Sequence, residues 1–174
     1  MAVNITKIQL SEKQKQVLNT ILEDIFYLAS TLNKTTDSRS LIHLARISII
    51  FNYISLETLR NFYCEKLGLK QDKKTRNYNW QSFFKYKDHT RKIDLLLKSK
   101  KYTGFQETKD LENFIDELRQ YRNLILHRSN LSNKKHNKSL ENYLKNINQK
   151  SIEKLFTKSR NCIEIMNYIM EIET

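Results

Sequence analysis

The sequence predicts an all-α protein, an up-and-down bundle of four to five main helices in one domain spanning residues 1–174. Three observations point there. Proline is absent and glycine occurs twice, whereas strand-rich folds recruit both for their tight turns. Apolar residues recur at helical spacing in several long segments. They make up 39% of the chain, enough for one core in a chain of single-domain length.

The elements follow in chain order. Ser11 opens a first helix, with Gln14 at the capping-box spacing and apolar positions at Val17, Leu18, Ile21, Leu22, Ile25 and Leu28. A turn over 33–38 leads to a long second helix from about Ser40 to Leu67, which Gly68 is placed to end. Its first half, Leu41 to Leu56, is apolar nearly all round, the pattern of a helix in the middle of a bundle. A basic, aromatic segment over 69–106 holds one short helix from about Thr90 to Lys100. Another helix starts near Thr108 and runs to about His127. Residues 129–150 are rich in Asn and Lys and poor in large apolar side chains, and read mostly as a basic loop. The last helix, from about Ser151 to Ile172, turns Ile152, Leu155, Phe156, Cys162, Ile163, Met166 and Ile169 to the core.

The net charge of +12 is concentrated. Residues 69–106 carry eleven Lys and Arg against three acids, net +8, and 128–160 carry nine against two, net +7, so the remainder totals −3. A surplus of this kind describes partners rather than fold, and nucleic acid is the first candidate. Lys73, Lys74, Arg76, Lys85, Lys87, Arg128, Lys134 and Lys135 are the expected phosphate contacts; the alternative is a set of solvated lysine-rich loops. Tyr78, Trp80, Phe83, Phe84, Tyr86 and Tyr102 lie among the first group, either as platforms for bases or as a satellite core. A DNA-binding regulator is disfavoured, because no helix with clustered Arg and Asn follows a tight glycine turn. No apolar run reaches the length of a membrane span, and Met1–Leu10 lacks the apolar stretch of a signal peptide. No membrane partner and a cytoplasmic location are therefore expected. Cys64 and Cys162, without CxxC spacing, read as buried reduced thiols. His43, His89 and His136 form no ligand spacing with Cys or acids, so neither metal nor cofactor is expected.

The chemistry-bearing stretch is Glu117 to Arg128. At 100° per residue, Leu111, Phe114, Ile115, Leu118 and Ile125 fall within about 60° of one line, and Arg122 falls in their midst. Asn123 and His127 lie one turn apart on the adjoining face. A solvated arginine belongs opposite the apolar stripe, and burying a guanidinium without a partner is costly. Arg122 therefore either pairs with an internal acid or points into a cleft where the stripe meets a second subunit. On the second helix Arg46, Tyr53, Glu57, Arg60 and Cys64 share one face. Glu57 is the first candidate partner for Arg122, and a plain solvated face is the alternative.

Arg122-Asn123-x-x-x-His127, late in an amphipathic helix of a small all-α chain, resembles the RNxxxH signature of the HEPN superfamily. The stretch Ser55-Leu56-Glu57-Thr58-Leu59 in the long upstream helix resembles the acid-bearing helix that many members place before the motif. The resemblance covers the bundle from about Ser11 to Ile172. It implies a metal-independent endoribonuclease that dimerises so that two copies of the motif face one cleft. It further implies a role as a toxin or in antiviral defence, with an antitoxin or activating partner. In that reading Arg122, Asn123 and His127 are catalytic, with Glu57, Arg46 and Tyr53 supporting them. Histidine titrates near neutrality and serves as base or acid, and arginine is a fixed bidentate cation matched to phosphate. The alternative is a non-catalytic HEPN-like module that binds RNA or protein.

Overall fold

The computed structural model describes residues 10–32, 34–74, 76–99, 102–126 and 134–172. All regular structure among them is helical: α1 (Glu12–Leu32), α2 (Ser38–Lys66), α3 (Trp80–Lys85), α4 (His89–Lys98), α5 (Thr108–Leu126), α6 (Lys134–Lys145) and α7 (Gln149–Ile172). The all-α bundle is as the sequence predicts.

Local chemistry sets several of the boundaries. At the start of α1 the capping box is formed reciprocally: the Ser11 amide donates to Gln14 Oε1 (3.1 Å) and the Gln14 amide to Ser11 Oγ (3.3 Å). Asp37 caps α2 by accepting from the Ser40 amide at 2.8 Å. Hydrogen bonding from Ser40, first its side chain and then its amide, holds the Asp37 carboxyl below the usual carboxylate range, because the charged form is the better acceptor. Gly68, at φ +67°, ends α2. Its amide bonds Glu65 O, and the Leu69 amide reaches back to Cys64 O, the paired arrangement of a Schellman cap. Asn148 caps α7 through the Ser151 amide, so this helix starts at Gln149, two residues before the sequence expectation.

Long-range contacts give α1, α2 and α7 their relative directions. Gln14 of α1 bonds Glu65 near the end of α2, so these two run antiparallel. Gln149, opening α7, bonds the carbonyls of Leu32 and Thr35, and Tyr63 bonds Asn167, so α7 runs parallel to α2. The result is an up-and-down bundle in which α2 packs on α1, α5 and α7, with α4 packed on α5 and α7 and α6 on α5. The core draws Ile49, Leu56, Leu59 and Tyr63 from α2, Leu111, Ile115 and Leu118 from α5, and Ile163, Ile165 and Met166 from α7. Cys64 and Cys162 are buried free thiols, and burial pushes both up, Cys64 to about 11.

Three features depart from the sequence expectation. Residues 134–145 form α6, where the sequence reads as a loop. Its apolar content is confined to one turn, Leu140, Tyr143 and Leu144, and these dock on the core, so tertiary burial decides what local pattern leaves open. A second unexpected helix, α3, is capped by Asn79 on the Gln81 amide and buries Phe83 and Phe84. Finally, α2 is not enclosed on all sides. Ile47 is 43% exposed, and Ile50, Phe51 and Ile54 are only half-buried, because no described helix covers that side. Instead the buried faces of α2 take in Ser48, Asn52 and Ser55; the Asn52 amide donates to Ser48 O and the Ser55 hydroxyl to Asn52 O, while Ser48 Oγ has no hydrogen-bond partner among the described residues.

Candidate functional site

The second half of α5 lies against the middle of α2. Leu111, Phe114, Ile115, Leu118 and Tyr121 are buried, and Leu124 and Ile125 pack on the core from its edge. Arg122 sits within this stripe and meets Glu57: Nη2 lies 3.8 Å from Glu57 Oε2. Of the alternatives the sequence leaves open for Arg122, an internal acid is present, and it is Glu57, the first candidate. The guanidinium also lies 5.4 Å from the centre of the Tyr53 ring, and Nη1 donates to Asn123 Oδ1 at 2.8 Å. Arg122 is thus clamped on three sides while its side chain stays 27% exposed. Its Nε is buried with no hydrogen-bond partner among the described residues.

Glu57 serves more than one cation. Its Oε1 accepts from the Tyr53 hydroxyl (3.3 Å) and from Arg60 Nη2 (3.4 Å). Arg60 is buried, bonds Asn61 Oδ1 through Nε and Nη2, and lies over the Trp80 ring at 4.9 Å. One carboxylate facing two guanidinium groups leaves a positive surplus, and the field of Arg119 also reaches Tyr53. The Tyr53 hydroxyl is pushed up, first by burial and then by the Glu57 charge, so it stays a neutral donor.

Of the residues singled out from sequence, Arg122, Asn123, Glu57 and Tyr53 are brought together. Asn123 holds the arginine rather than standing apart from it. Arg46 is half-buried on α2 and joins none of these contacts. His127 and Arg128 lie outside the described residues; α5 is helical up to Leu126, the residue before His127. Lys73, Lys74, Arg76, Lys85 and Lys87 are exposed, with Lys87 Nζ over the Tyr86 ring at 5.5 Å. Arg76 and Lys87 adopt left-handed backbone conformations, at φ 53° and 39°. Lys134 and Lys135 open α6 and do not lie in a loop; their side chains lie outside the description.

The aromatic segment divides between its two readings. Phe83, Phe84 and Tyr102 are buried in the main core, whereas Tyr78, Trp80 and Tyr86 stay part-exposed. His89 is buried, edge-on to Phe83 and Tyr86, as a core histidine. Among the described residues no group of three or more His, Cys, Asp or Glu is placed to hold a metal ion, and no helix is long and apolar enough to cross a membrane.

Sequence reasoning placed Arg60 on the face of Glu57 but missed its role as a second cation on that carboxylate; its cover by Trp80 depends on how α3 docks, and no local pattern reveals that. Tyr121 was also overlooked: its hydroxyl donates to Glu117 (2.7 Å) and pairs with Ser139 Oγ of α6 (2.7 Å), and burial raises it to about 12. No family model matches the chain, and no curated protein or solved structure matches it either.

Proposed function

We propose that this protein is a metal-independent endoribonuclease acting as a homodimer, with Arg122, Asn123 and His127 of each chain forming a composite site in the manner of HEPN nucleases. The observation that carries the proposal is the state of Arg122: a part-exposed guanidinium fixed by Glu57, Tyr53 and Asn123 inside an apolar stripe, next to a surplus of positive charge. A pre-oriented fixed cation is what a phosphorane needs, because no reorganisation is required when charge develops.

The reaction follows from RNA chemistry. The ribose 2′-oxygen attacks the adjacent phosphorus while a base takes its proton. The bond to the 5′-oxygen breaks, and an acid protonates that leaving oxygen. The products are a 2′,3′-cyclic phosphate and a 5′-hydroxyl. Two copies of His127 across a dyad supply base and acid, and Arg122 stabilises the equatorial oxygens. Asn123 acts by holding Arg122. The half-exposed Leu126 and the open side of α2 at Ile47 and Ile50 support a second copy as the cover. The basic segments supply phosphate contacts. A toxin or antiviral role and an antitoxin or activator belong to the same proposal and rest on the resemblance; a cytoplasmic setting is proposed with them.

A second reading has its own support. Arg122 already has internal partners, as it would in a non-catalytic module that keeps the pair for structure. End analysis of RNA incubated with the protein separates the two. Cyclic phosphate and 5′-hydroxyl ends are expected. Strong, salt-dependent RNA binding without cleavage, unaffected by His127→Ala, would favour the binding module.

A further inference from the structure

A groove runs between the start of α3 and the exposed side of α5. Trp80 is its part-exposed aromatic wall, backed by the buried Phe84 ring, whose centre lies 5.9 Å away with the planes 22° apart. Gln81 and Asn113 bring two exposed amides to it, and Lys109 and Arg119 bring two cations. Each cation is paired with an acid that also lines the groove, Lys109 with Glu112 at 3.2 Å and Arg119 with Asp116. The groove adjoins the Arg122 cluster through an unbroken series of contacts: Trp80 lies under Arg60, Arg60 pairs with Glu57, and Glu57 faces Arg122. Arg119 and Arg122 are also neighbours at i and i+3 on one helix.

We infer that this groove is a nucleobase subsite for single-stranded RNA. One unstacked base lies against the exposed part of Trp80. The amides of Gln81 and Asn113, each both donor and acceptor, read its edge. Arg119 and Lys109 take the phosphate beside it. Aromatic rings, amides and cations in one groove match a nucleotide, whose own parts are an apolar flat ring, a polar edge and an anion. The identity of the ligand as RNA rests on the proposal above; the groove itself does not.

Trp80 is the only tryptophan in the chain, so its emission reports on the groove alone. The test titrates the full protein with a 2′-O-methyl hexaribonucleotide of mixed sequence, which has no free 2′-hydroxyl to attack, and with an abasic sugar-phosphate hexamer. Saturable quenching by the base-bearing oligomer is expected, with the abasic one binding roughly five- to a hundredfold more weakly and leaving emission unchanged. The double variant Gln81→Ala/Asn113→Ala, altering two exposed side chains, should weaken the base-bearing oligomer about fivefold and leave the abasic one unaffected. Equal affinity for both oligomers, binding without a change in Trp80 emission, or an unaffected double variant would overturn the inference. Base-dependent quenching by a protein that cleaves no RNA would keep the subsite and end the nuclease reading. Cleavage without such quenching would end the subsite alone.

Discussion

At the residue scale, one carboxylate organises the candidate site. Glu57 holds Arg60, Arg122 and the Tyr53 hydroxyl, and of the two cations only Arg60 is nearly fully buried, with 4% of its side chain exposed. Removing Glu57 leaves that guanidinium buried without an anion. Glu57→Ala is therefore expected to destabilise the fold by about 3 kcal/mol, read as a lowered urea midpoint. Glu57→Gln costs less, since its amide oxygen still accepts from Tyr53 and Arg60. Arg122 is part-exposed, and Arg122→Ala should cost under about 1 kcal/mol. An unchanged midpoint in Glu57→Ala would show that Arg60 is neutralised elsewhere. The Glu57–Arg122 pair was legible only as a first candidate, because an arginine inside an apolar stripe calls for an acid or a subunit cleft, and helical stepping shows which face Glu57 shares but not what that face meets. The Arg122–Asn123 bond was not. Adjacent helical side chains diverge by about 100°, and only the length of arginine lets it reach back.

At the element scale, legibility followed the strength of local signals. The start of α1 and the end of α2 carry a capping box and a glycine cap, and both were readable. The long amphipathic helices α5 and α7 were readable from periodicity. The α6 helix was not, because Leu140, Tyr143 and Leu144 provide one apolar turn amid Lys and Asn, a pattern too short to separate a docked helix from a loop. Its stability should then depend on those few side chains. Leu140→Ala, at a position 8% exposed, is expected to cost about 2–3 kcal/mol. It should also speed amide exchange across 134–145 ahead of the rest of the bundle. Exchange that stays slow there would mean that α6 is held by other contacts.

At the scale of the whole molecule, the apolar interior also holds tyrosines and cysteines that are neutral only when protonated. Burial raises Cys64 to about 11, Tyr121 and Tyr143 to about 12, and Tyr63 and Cys162 as well. A raised folded value means that stability is complete below the ordinary thiol value of 9.0 and is lost as pH rises through the folded values. The melting temperature should hold up to about pH 9 and fall steeply above it; a flat profile to pH 11 would contradict this. The charge distribution was legible from composition. The fate of the aromatic segment was not, because packing of α3 and α4, rather than local sequence, sends Phe83 and Phe84 inward and leaves Trp80 at the surface.

The most direct test of the account is cleavage of total tRNA and a structured mRNA in EDTA, comparing wild type with Arg122→Ala and His127→Ala. The account predicts metal-free cleavage by wild type and its loss in both variants while each still folds and dimerises. Undiminished cleavage by either variant, or RNA binding by wild type with no cleavage at all, would contradict it.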